Sequence, residues 1–182
     1  MRTLVGWLPW LCLVGAPAVT AHHLDGGNTR ITFEVERLGH DWFSAAFPDL
    51  SGDFVAAPQG GGGQLSVSVR MASLQSRSPY WNERLRSPQW LDTARYPEMT
   101  FRSTGIELQG TQRAEVRGEL TLHGITRPLN LSITDIDCPE VQATPADHCR
   151  FVGRGILRRS DFELPHAFWQ GGDTVEIIVR GD

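Results

Sequence analysis

Ser160-Asp161, joined by His123 or His166 from elsewhere in the chain, has the residue types of a hydrolytic triad. His40-Asp41-Trp42 and Pro165-His166-Ala167-Phe168-Trp169 each place an imidazole beside large aromatics. Such a pairing suits a polar head group or a metal at a cavity mouth. It suits equally a tryptophan plug closing a barrel end, the reading preferred here. A small metal-dependent or hydrolytic enzyme using His40, His123 or His166 is therefore the alternative to weigh. Against it, the chain has no Gly-x-Ser-x-Gly elbow, no His-Glu-x-x-His and no dinucleotide glycine pattern after a strand. Ser160-Asp161 sits where a strand meets a turn, and closure of that turn by a short polar side chain explains it more simply. His22-His23 could chelate Cu(II) with a free amine, but no third ligand is identifiable and adventitious binding is the better reading. The four glycines Gly60–Gly63 lack a following Gly-Lys-Ser/Thr and mark a hairpin tip, not a phosphate loop. No catalytic residue, metal or cofactor is expected.

The remaining reactive side chains are cysteines, and their use depends on compartment. Met1-Arg2, an apolar run from Leu4 to Val14 and Ala18-Val19-Thr20-Ala21 form a secretory signal too short to span a membrane. Cys12 lies inside the apolar run, so no lipid anchor is expected. Cleavage after Ala21 leaves residues 22–182 as one periplasmic domain with Cys138 and Cys149 as an even pair. They bracket a polar stretch with two prolines, so a disulfide would staple a loop between strands, worth on the order of 3 kcal/mol. A net charge of −4 spread along the chain argues against nucleic acid. No other long apolar stretch exists, so the mature chain is not expected to span a membrane; a homodimer is left open.

The elements that would position these residues are strands. In Arg113–Ile133, Ala114, Val116, Gly118, Leu120 and Leu122 fall on one side and Glu115, Arg117, Glu119, Thr121 and His123 on the other. That period of two gives one dry and one wet face. After His123-Gly124 the alternation resumes with Leu129, Leu131 and Ile133, so the stretch is a long antiparallel hairpin. Gly124 supplies the positive φ of a tight reversal, and Pro128 is tolerated where the second strand begins. Similar alternation marks Thr29–Glu36, Leu65–Met71, Met99–Leu108, Phe151–Arg159 and Val175–Val179, with a bent pair between Trp42 and Phe54. Ser78-Pro79 and Ser87-Pro88 each resemble a helix start. The fold expected is all-β: a single closed antiparallel barrel of about eight strands with a short helical insert. Such a barrel can hold one small ligand in its lumen. By parity the lumen would be lined by Phe33, Val35, Phe47, Phe54, Val67, Val69, Met99, Phe101, Leu120, Leu122, Leu131, Ile133, Leu157 and Ile177, with Trp90 from the helical segment. Gly118, Gly153 and Gly155 fall on apolar faces, where missing side chains could leave space.

Leu120-Thr121-Leu122-His123-Gly124-Ile125-Thr126-Arg127-Pro128-Leu129 resembles the hallmark hairpin of the YceI-like family of bacterial periplasmic polyisoprenoid-binding proteins. Tyr96-Pro97-Glu98-Met99-Thr100-Phe101-Arg102-Ser103 and Arg159-Ser160-Asp161-Phe162 match two further family motifs in the right order. The resemblance runs from about Leu24 to the C-terminus. Arg84 departs from it, standing where the family commonly has His. The resemblance implies a lipocalin-like fold and a non-catalytic protein that carries or sequesters a polyisoprenoid, an isoprenoid quinone or a similar lipid. The ligand class comes from the resemblance and not from the spacing of residues.

Overall fold

Apolar–polar alternation becomes eleven strands of one antiparallel sheet in the structure, a computed structural model that describes residues 21–37, 41–57, 62–137, 149–165 and 172–181. The strands are β1 (Ala21–Asp25), β2 (Thr29–Arg37), β3 (Asp41–Phe47), β4 (Leu50–Ala56), β5 (Gly63–Arg70), β6 (Gln75–Ser76), β7 (Glu98–Leu108), β8 (Ala114–Leu122), β9 (Ile125–Asp137), β10 (Arg150–Arg158) and β11 (Thr174–Gly181). Their order is β1-β4-β5-β7-β8-β9-β10-β11-β2-β3-β6. Inward side chains of β1, at one end of this order, and of β2, near the other, line the same cavity. The sheet is thus curled into a half-barrel around an apolar interior.

The central hairpin is built as its alternation predicts. Leu122 lies opposite Ile125, and His123 and Gly124 take φ of 54° and 76° between them. Two positive φ values in a two-residue turn match the right-handed twist of the strands it joins. Pro128 pairs across to Glu119 on a stretch of β9 that the β10 ladder, ending at Ser132, does not reach. A missing N–H is harmless where only one side of the strand is bonded. Register shifts between Ser103 and Gly105 in β7, and between Arg150 and Val152 in β10, help the sheet bend.

Three sequence expectations change. The sheet curls into a half-barrel whose end strands, β1 and β6, do not pair with each other, so the closed barrel expected is not formed among the described residues. The strand count is eleven, not about eight: β1 and the two-residue β6 were not legible. Two residues have no period, and β1 falls where the leader was expected to end. The second helix start fails as well. The helix α1 (Pro79–Arg86) begins with Pro79 after Ser78, as expected, but Ser87 is its last cap. Beyond it the chain winds in turns, with Trp90 N–H donating to the Ser87 carbonyl at 2.9 Å and Asp92 N–H to the same oxygen at 3.1 Å. Asp92 then adopts a left-handed φ of 43°, which ends further helical winding. No helix among the described residues is long and apolar enough to cross a membrane.

Candidate functional site

Helix α1 is held over one end of the half-barrel by polar ties, which frees its apolar side to face inward. Asn82 Oδ1 accepts from the Ser76 N–H at 2.7 Å and from the Ser76 hydroxyl at 2.6 Å, and Arg86 donates to the Leu74 carbonyl. Leu85 and, from the following turns, Trp90 are buried beneath it. They roof a small inner chamber of about 100 Å³, whose lining includes Phe33, Val35, Phe47, Met71, Leu122, Leu157 and Val175. Phe33 meets Phe47 edge to face at 5.1 Å between ring centres.

A second, outer chamber of about 460 Å³ lies further along the strands. Its walls include Ile31, Phe54, Val67, Val69, Met99, Phe101, Val116, Leu120, Leu131, Ile133 and Ile177. Among the described residues that line it, only His22, His23, Asn28, Thr29 and Cys149 carry polar or titratable side-chain groups. The fourteen residues taken from parity, with Trp90, therefore divide between two chambers. Phe33, Val35, Phe47, Trp90, Leu122 and Leu157 line the inner one; Phe54, Val67, Val69, Met99, Phe101, Leu120, Leu131, Ile133 and Ile177 line the outer one. Parity on the same strands also pointed to Ile31, Val116, Leu129 and Val175, which were not singled out. Leu24 and His22 on β1 went unread with their strand.

The glycines on apolar faces do not leave the space expected of them. A Cβ at Gly118 would lie 2.6 Å from the Phe101 Cε2 and equally close to the Arg102 carbonyl. At Gly153 it would meet the Ile133 Cδ1 at 2.8 Å, and at Gly155 the Leu131 Cδ2 at 2.6 Å. Each glycine is already occupied by a large inward side chain from the neighbouring strand. The consequence for the lumen is nevertheless favourable. Phe101, Leu131 and Ile133 lie along the wall because the position beside each is bare, so their bulk stays out of the centre.

Among the described residues considered for chemistry, His123 and Ser160 are engaged elsewhere. His123 lies 4.3 Å from Tyr96, ring centre to ring centre, and Gly124 packs under the same tyrosine. Two of the matched motifs thus meet at this turn. Ser160 donates its hydroxyl to Asp173 Oδ2 at 2.6 Å and its N–H to Asp173 Oδ1 at 2.9 Å, so the turn is closed by Asp173 and not by a local side chain. Arg159, in the third motif, is 6 % exposed, borders the inner chamber and donates to the Gly172 carbonyl. Burial pushes its guanidinium below the ordinary arginine pKa, and nearby Asp173 offsets part of that. His40, His166 and Cys138 lie outside the described residues. No group of three His, Cys, Asp or Glu that could hold a metal occurs among the described residues.

At the β1 edge, His23 Nδ1 meets Asp53 Oδ1 at 3.1 Å across the β1–β4 ladder. That hydrogen bond, opposed by desolvation and reinforced by the Asp53 charge, raises the His23 pKa above its ordinary value. His22, one residue along, turns to the other face and stacks on Phe54 at 6.2 Å, where both border the outer chamber.

Comparison with known proteins agrees with this architecture. The YceI-like domain profile matches residues 22–181. A UPF0312 protein of Vibrio parahaemolyticus is 30% identical over 157 residues, covering 86% of this chain and 82% of its own. Protein YceI of Escherichia coli O157:H7 is 25% identical over 156 residues, covering 85% and 81%. Among solved structures, Burkholderia cenocepacia BcnA superposes with a TM-score of 0.72 at 22% identity, covering 86% of this chain and 96% of its own. A polyisoprenoid binding domain from Saccharophagus degradans, implicated in plant cell wall breakdown, superposes at 0.57 with 15% identity, covering 90% and 99%. With nearly every described residue inside the matched span, the chain belongs to the YceI-like family.

Proposed function

We propose that the chain is a non-catalytic periplasmic protein that carries or sequesters one elongated apolar molecule in its outer chamber. The observation that carries this reading is that chamber: about 460 Å³ of space with walls made mostly of hydrocarbon side chains. An apolar cavity of this kind gains about 0.8 kcal/mol for each methylene removed from water, so affinity accumulates along a chain without directional contacts. A polyisoprenoid, an isoprenoid quinone or a similar lipid has the required shape. The polyisoprenoid binding of the Saccharophagus degradans domain, which shares the fold, supports that ligand class.

Export is part of the proposal. Removal of residues 1–21 would leave β1 paired with β4 from His22 opposite Phe54 to Asp25 opposite Ser51, so the chamber wall would survive processing. An oxidising compartment would also join Cys138 to Cys149, which stands just before β10 and borders the outer chamber.

The test is purification of the exported protein, native mass spectrometry, and organic extraction of whatever it holds. One lipid per chain, with a mature N-terminus at His22, is the expected result. A chain that emerges empty and takes up no added isoprenoid quinone contradicts the reading. The same spectra report whether it is a monomer or a homodimer.

A further inference from the structure

We propose, on the basis of the binding function above, that the lumen selects its ligand by tail length, with a stop built from side chains between the two chambers. Moving two residues along the chain passes from one chamber to the other. Ile31, Val69, Leu120 and Ile177 border the outer chamber; Phe33, Met71, Leu122 and Val175, the next inward positions, border the inner one. Three of the four outer-facing residues are no more than 4 % exposed and Ile31 is 6 % exposed. In this proposal they form the layer across the lumen that separates the two spaces.

The chamber sizes convert to tail length. An apolar cavity of 150 Å³ accepts benzene, so roughly 25 Å³ serves each carbon. At that rate the outer chamber of about 460 Å³ holds about 18 carbons, between three and four isoprene units. The inner chamber of about 100 Å³ adds about four carbons, close to one more unit. The direction of entry is part of the proposal. The inner chamber is roofed by Leu85 and Trp90, whereas the outer one reaches Leu108 at the tip of the β7–β8 hairpin, which is 51% exposed. A tail enters past Leu108, fills the outer chamber, and halts at the layer of Ile31, Val69, Leu120 and Ile177. Units beyond the fourth remain outside the mouth and add little.

The experiment titrates the delipidated exported protein with benzoquinones bearing one to eight isoprene units on a common ring. Affinity is expected to strengthen by about tenfold or more per unit up to three, and to change less than about threefold between four and eight. Leu120→Ala, which removes part of the layer, is expected to move the break later by one unit. Val116→Phe, which fills the outer chamber, moves it earlier. The wild-type series decides the matter even if a variant does not fold. Strengthening that continues to eight units overturns the length stop while leaving the binding function intact. Absence of binding at every length overturns both. A folded Leu120→Ala protein whose break stays in place overturns the layer as the stop.

Discussion

Gly118 and Gly153 do the same job with different tolerances. At Gly118 an added methyl would collide with both the Phe101 ring and the Arg102 carbonyl at 2.6 Å, and a carbonyl in a ladder cannot rotate aside. Gly118→Ala is therefore expected to destabilise by about 1–3 kcal/mol. At Gly153 the methyl would meet only the terminal Cδ1 of Ile133, at 2.8 Å, with Val179 next at 3.5 Å. Ile133 can swing inward, so Gly153→Ala should cost under about 1 kcal/mol while narrowing the outer chamber. Urea midpoints of the two variants check this, and equal losses would contradict it. Parity identified both glycines as inward positions lacking a side chain. It could not say which neighbour fills the gap, because that depends on cross-strand register. His23 offers a second residue-scale check. Its bond to Asp53 favours the protonated ring, so its contribution to holding β1 on β4 is full below the ordinary histidine pKa and is lost as pH rises through the elevated one. The pair is exposed, so the stability effect is small. An NMR titration should place the His23 midpoint above that of an unperturbed histidine, and Asp53→Asn should return it downward.

Among the elements, the β8–β9 hairpin was the most legible in the sequence. Its period of two and its His123-Gly124 turn depend on neighbours within a few residues, and the register Leu122 opposite Ile125 follows from them. By contrast β1 could not be read: its five residues include His22 and His23, and their inward and outward roles are set by β4, thirty positions away. The segment after α1 misled for a related reason. Ser87-Pro88 has the local chemistry of a helix start, but Ser87 already closes α1, and its carbonyl receives Trp90 and Asp92. The β9–β10 connection carries its own prediction. Denatured, unreduced mature protein should offer no thiol to a labelling reagent, and Cys149→Ser should lower stability by about 3 kcal/mol through loss of loop closure. Stoichiometric labelling of two thiols would contradict the Cys138–Cys149 disulfide.

For the whole molecule, alternation along the strands told which side chains face inward but not that the interior is divided. Leu120 and Leu122 share a face in the sequence yet border different chambers, a difference that alternation along one strand does not carry. The claim that matters most is that the outer chamber is a binding space and not a filled core. Val116 tests it directly: it is 4 % exposed to solvent and borders that chamber. A cavity has room for added volume, whereas a close-packed core would be overpacked at a cost of about 1–3 kcal/mol. The decisive measurement is uptake of an isoprenoid quinone, with thermal unfolding recorded in parallel, for wild type and Val116→Trp. One quinone per wild-type chain, lost in Val116→Trp with the unfolding temperature nearly unchanged, is the predicted result; no uptake by wild type, together with a large fall in the variant's unfolding temperature, would contradict it.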